Sequence, residues 1–100
     1  MVHYLAILRY PTKAANEFGK KFLELTKIKP PDWLKVKLVF STVDGTLKGY
    51  ALYEVDDDKI IKAETEISKR LAIYFDIDGF EYKIERLLEP KEALPIIGLG

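Results

Sequence analysis

An α+β domain with the element order β-α-β-β-α-β is the fold class that this chain of 100 residues predicts. Three observations carry it. Residues 34–55 hold two alternating strands joined by Asp44-Gly45, the strongest short-range hairpin signal. Two other segments space their apolar residues by three or four, as a helix facing a core does. Short apolar or alternating runs flank those helices and close the order on both sides.

The first strand is residues 2–9, short, apolar and closed by Tyr10-Pro11. A helix follows from about Thr12, a natural N-cap, with Ala15, Phe18, Phe22 and Leu25 on one face. It must stop before Pro30-Pro31, because the residue preceding a proline is pushed out of the α region. Trp33 then anchors the entry to the second strand. Beyond the hairpin, Asp56-Asp57-Asp58 opens a second helix whose stripe is Ile60, Ala63, Ile67, Leu71 and Tyr74. The last strand, residues 80–88, follows an Asp78-Gly79 turn. The whole chain, 1–100, reads as one domain, with residues 89–100 a Pro-interrupted tail ending in Ile96, Ile97 and Leu99. This order is the ferredoxin-like split β-α-β arrangement: a four-stranded antiparallel sheet with two helices on one face. The other face is left open to solvent or to something outside the chain.

A two-residue turn at Asp44-Gly45 sets the hairpin register. It pairs Val39 with Tyr50, Lys37 with Leu52 and Lys35 with Glu54 on the open face. It pairs Phe40 with Gly49, Leu38 with Ala51, Val36 with Tyr53 and Leu34 with Val55 on the helix face. In the last strand Phe80, Tyr82 and Ile84 belong under the helices, and Glu81, Lys83 and Glu85 on the open face. The first strand does not discriminate, because Tyr4, Ala6 and Leu8 on one side and Leu5 and Ile7 on the other are all apolar. Either way the open face has an apolar middle and charged edges. Such a patch marks an interface or a ligand platform.

Composition removes several functions. Sixteen basic and sixteen acidic residues cancel, so the chain lacks the electrostatic footprint of a nucleic-acid binder. No apolar run approaches the roughly 20 residues that span a bilayer, and no signal peptide is expected. The absence of cysteine removes disulfides, thiolate metal sites and cysteine nucleophiles, and points to a cytoplasmic protein. Lys and Glu carry most of the charge, glutamine is absent and Asn16 is the sole asparagine, a composition that resembles hyperthermophile proteins.

The residues offering chemistry are few. No cofactor is expected, since there is neither a Walker loop nor a Gly-x-Gly-x-x-Gly motif, and no metal site is expected. Asp56-Asp57-Asp58 reads as a helix start and Asp76-Ile77-Asp78-Gly79 as a turn. His3, the one histidine, is a candidate general base on the first strand. The candidate ligand-binding set is Tyr4, Tyr50 and Leu52, with Glu54, Lys35, Lys37 and His3 toward the rim.

Lys48-Gly49-Tyr50-Ala51-Leu52-Tyr53-Glu54-Val55 resembles the third-strand signature of RNA-recognition motifs, with Tyr50 placed to stack a base. Leu52 stands where that family has a second aromatic. Across most of its length the chain resembles the dimeric α/β-barrel superfamily, and within it a family of unknown function. The likeness runs through Pro31-Asp32-Trp33, Asp44-Gly45, Gly49 to Glu54, Asp56 to Asp58 and Pro90-Lys91-Glu92-Ala93. It implies a homodimer built by stacking open sheet faces. The expected function is therefore a small homodimeric α+β barrel protein that binds a small molecule between sheet and helices or between sheets. One alternative is a cofactor-free enzyme, monooxygenase- or isomerase-like. Another is an RNA-binding module using the open face.

Overall fold

Four strands and two main helices form in the expected order in the computed structural model, which describes residues 1–43 and 45–100. They are β1 (Val2–Tyr10), α1 (Ala15–Leu25), β2 (Leu34–Val43), β3 (Leu47–Val55), α2 (Ile60–Leu71) and β4 (Glu81–Leu87). A short α3 (Pro90–Ala93) and a 3-10 turn, Leu94–Ile97, follow. The sheet is antiparallel with strand order β2-β3-β1-β4, so β1 and β3 are central. None of the described helices is long and apolar enough to cross a membrane.

The helix starts differ from expectation. Thr12 does not cap α1: residues Thr12–Ala14 form a 3-10 turn, and no side chain caps it or α1. Ala14 rather than Ala15 is the buried alanine. Asp57–Lys59 likewise form a 3-10 turn before α2, with no side-chain cap from Asp56. Asp57 acts through charge instead, 2.9 Å from the Met1 ammonium.

The core settles what β1 left open. Val2, Tyr4, Ala6, Leu8 and Tyr10 are buried, and they pair with β3 so that Tyr4 faces Tyr53 and Ala6 faces Ala51. Ala63, Ile67 and Leu71 of α2 and Leu25 of α1 close over them. His3, Leu5, Ile7 and Arg9 therefore belong to the open face. β4 behaves as expected. Tyr82 and Ile84 share the helix side with Leu8 and Ala6, and the Tyr82 hydroxyl donates to Ser68 Oγ on α2 at 3.2 Å.

The hairpin is half as expected. Lys35 opposes Glu54 and Val36 opposes Tyr53, but the register shifts between Val36 and Leu38. Beyond that bulge Leu38 faces Leu52, Phe40 faces Tyr50 and Val39 faces Ala51. Val43 opposes Leu47, so the connection spans three residues, not two. Asp44, half of the expected turn, lies outside the described residues. Gly45 has φ +68°, a left-handed conformation that glycine adopts without steric cost. One extra residue in the loop and one at the bulge compensate, which keeps the inner pairs in register. The consequence is a swap of faces: Leu38 and Phe40 move to the open side, and Val39 to the helix side. Of the residues expected under the helices, only Leu34 of β2 is buried.

An aromatic row ties the layers together. Tyr10 stacks on Phe18 with centroids 3.8 Å apart, and Phe18 stacks on Tyr74 at 4.3 Å. Phe80 and Tyr82 continue it toward β4. Burial raises the phenol pKa of Tyr4, Tyr10, Tyr53 and Tyr74; at Tyr53 the neighbouring Arg70 guanidinium opposes the shift. A raised phenol favours the protonated form in the folded state. Its contribution is full below the ordinary phenol range near 10 and is lost as pH rises through the raised values. We therefore expect phenolate absorbance from these four residues to lag in an alkaline titration, then to appear together with loss of far-UV circular dichroism. Ionisation of all four near pH 10 without unfolding would contradict this packing.

The turn after α2 depends on glycine. Gly79 has φ +83°, and a Cβ there would lie 3.2 Å from Pro11 Cγ and Cδ. Lys21 of α1 holds Asp76 of that turn at 2.8 Å, which lowers the Asp76 pKa.

Candidate functional site

Two surfaces stand out, one on each side of the sheet. On the open side, β1 contributes Leu5 and Ile7, β3 contributes Tyr50 and Leu52, and β2 contributes Leu38 and Phe40. Cross-strand pairing sets Leu5 against Leu52, Ile7 against Tyr50 and Phe40 against Tyr50 in one contiguous apolar field. Leu38 is 50% exposed and Phe40 59%, so the field is open to solvent in the single chain. Lys48 Nζ sits 5.7 Å from the Tyr50 ring centroid and marks one end of the field.

The other end is polar. His3 Nε2 lies 3.3 Å from Glu54 Oε2, and His3 Nδ1 lies 4.0 Å from Glu89 Oε1. Register places them together: His3 opposes Glu54 on β3 and Leu87 on β4, just before Glu89. Glu89 is held by a local arrangement. Its N–H donates to Glu92 Oε1 at 3.3 Å, and Arg86 Nη2 donates to Glu92 Oε2 at 3.4 Å. The imidazole lies between two carboxylates, within ion-pair distance of both. It lies at a surface rim, with His3 29% and Glu54 19% exposed, not in a closed cavity.

The expected ligand set divides. Tyr50, Leu52, Glu54 and His3 share the open face, with Lys35 opposite Glu54. Lys37 is the residue at the bulge, so it does not oppose Leu52 as expected. Tyr4 lies on the other side of the sheet. It is 2% exposed, packed between sheet and helices, because β1 turns its even-numbered side chains toward the core. The tail does not cover the subunit's own core: Ile96 and Ile97 are 72% and 71% exposed.

The second surface is a cleft on the helix side, with a volume of about 960 Å³. It exists because α1 ends at Leu25 and leaves the helix face of β2 uncovered beyond Leu34. Its floor includes Leu8, Ala51 and Val39, and its wall includes Phe22 and Leu25 of α1. The largely exposed connection of residues 26–32 forms its mouth, and Arg70, Leu71 and Tyr74 line it from α2 and the turn that follows. Sequence reasoning allows for a pocket between sheet and helices, and of its candidate set Tyr50, Lys35 and Lys37 line this cleft. Lys27, Lys29, Lys35 and Lys37, crowded around Pro30-Pro31, were the available signal.

No family model matches the chain. Nor does any curated protein. Among solved structures the chain is similar to a de novo designed protein, Foldit4, at 16% identity and a TM-score of 0.55. The similarity covers 88% of this chain and 96% of that one, and it speaks for the fold alone.

Proposed function

We propose that this chain is a homodimeric binding module of the ferredoxin-like α+β class. Two copies stack through their open sheet faces, and the outward helix side carries a small-molecule cleft. The observation behind the reading is the apolar field of Leu5, Ile7, Leu38, Phe40, Tyr50 and Leu52, which is contiguous, exposed at Leu38 and Phe40, half-buried at the other four, and rimmed by charge of both signs. A neutral rim of this kind suits a second copy of itself better than a polyanion. The resemblance to dimeric α/β barrels supports the same pairing, and we read the cysteine-free chain as cytoplasmic.

The cysteine-free chain offers a clean test. Single-cysteine variants Ile7→Cys and Leu52→Cys, central on the face, are expected to give covalent dimers under mild oxidation. Ser68→Cys on α2 is expected not to. Cross-linking at Ser68→Cys alone would place the contact on the wrong side of the molecule.

A second reading, a small cofactor-free enzyme, draws on one observation: the 3.3 Å approach of His3 and Glu54. Isomerase assays on unsaturated lactones and oxygen uptake on phenolic substrates test it. Activity lost in His3→Ala supports it; an inactive wild type counts against it.

A further inference from the structure

We infer that the helix-side cleft takes a single-chain amphipathic anion: a linear acyl chain lying on the uncovered face of β2, with its carboxylate received by Arg70 and the lysines at the mouth. This deepens the proposed function and rests on its reading of the cleft as a ligand site. The lining is two chemistries in one place. The floor and wall are apolar, with Val36 and Val39 presenting exposed methyl groups over the cleft. The margin is basic: Lys27, Lys29, Lys37 and Arg70 border the cleft, with Lys35 reaching its edge from the open face, against Asp32 as the only acid among the described residues. In a chain whose charges cancel overall, that is a strong local segregation. Among the described residues none of these five cations is ion-paired.

Arg70 adds a separate observation. Its Nη1 donates to the Ile28 carbonyl at 2.9 Å, which places the guanidinium beside the connection of residues 26–32. Its Nε is shut off from solvent without a well-aligned hydrogen-bond partner among the described residues, and the Tyr53 hydroxyl lies beside the same guanidinium. A buried unpaired donor is rare, because a folded chain gains by satisfying it. A guanidinium receives a carboxylate through two parallel N–H groups. A small rotation of Arg70 would offer Nε and a terminal nitrogen to such a group while the acyl chain lies on Val39 and Phe22. A neutral ligand would leave Nε unpaired, and a cationic one would meet like charge at the mouth.

The test uses the full chain with three probes of equal length, each kept below its micellisation concentration: dodecanoate, dodecanol and dodecyltrimethylammonium. Isothermal titration is expected to show dodecanoate binding about tenfold or more tightly than dodecanol, the gain of a charged hydrogen bond. The trimethylammonium probe is expected not to bind. Arg70→Gln is expected to erase most of the preference for carboxylate over alcohol while leaving dodecanol binding in place. Because Arg70 also holds the Ile28 carbonyl, the double variant Lys27→Gln/Lys29→Gln provides a second route to the same loss. Equal affinity for all three probes overturns the inference, as does no dodecanoate binding. Dodecanoate binding that appears only after Ile96→Ser/Ile97→Ser overturns it too, since the chain's own tail would then occupy the cleft. Light scattering on the same samples separates the two claims. A monomer that prefers dodecanoate sinks the dimer and keeps the ligand class, and a dimer that ignores it does the reverse.

Discussion

Replacing Tyr74 by alanine is expected to cost about 3–5 kcal/mol, read as a shift of the urea midpoint at constant slope. The side chain is 1% exposed and its ring lies at the centre of the aromatic row. Phe18 stacks on it at 4.3 Å and Phe80 tilts against it at 5.4 Å. Alanine removes the transfer energy of the ring and leaves a void that two aromatic neighbours cannot fill without leaving their own contacts. For a domain of this size, total stability is on the order of 5–15 kcal/mol, so the loss is a large share. Tyr74→Phe keeps the ring and its stacking, and is expected to stay within about 1 kcal/mol of the parent. A small cost for both variants would mean that the row does not join α1 to β4.

Phe40→Glu is expected to do the opposite: separate the subunits and leave the fold in place. Phe40 is 59% exposed in the single chain and faces Tyr50 across the edge of the sheet. Its loss removes one cross-strand pair, worth about 0.2–1 kcal/mol of monomer stability. In a dimer stacked on this face the same glutamate is desolvated without a partner. A central interface residue commonly carries about 2 kcal/mol, and two-fold symmetry counts each substitution twice, for about 4 kcal/mol. That is roughly a thousandfold in dissociation constant. Sedimentation equilibrium beside a thermal melt reads both quantities. A dimer unchanged by Phe40→Glu would move the interface elsewhere.

The contrast between these two positions also shows what the sequence made legible. Tyr74 was placed in the core by helical spacing alone, and the element order and the β4 faces followed from period and turn chemistry in the same way. Phe40 belongs to the helix face by alternation from a two-residue turn, and the structure puts it on the open face opposite Tyr50. Alternation fails at Leu38-Val39-Phe40, three consecutive apolar residues, and a loop one residue longer than the two-residue turn is compensated by the bulge between Val36 and Leu38. A single residue of slip reverses every face beyond it, so local pattern could not decide. Tyr4 was open for a related reason: both sides of β1 are apolar, and only its pairing with Tyr53 under α2 chose between them. The open face nevertheless keeps the expected character. The bulge replaces Val39 and Lys37 with Phe40 and Leu38, which makes the field more apolar.

The site was less accessible than the fold because its parts meet only in three dimensions. His3 reaches Glu54 and Glu89 through two different strand pairings. Arg70 joins the cleft from α2, forty-two residues from the Ile28 carbonyl it holds. The lysines of residues 27–37 were visible as a cluster, but their common cleft depends on where α1 stops.

Light scattering of the unmodified chain across a wide concentration range tests the central claim most directly. Stacked open faces predict a mass twice the chain mass of 11.5 kDa, retained on dilution and lost in Phe40→Glu. A mass of 11.5 kDa at every concentration would leave the apolar face open in solution and contradict the account.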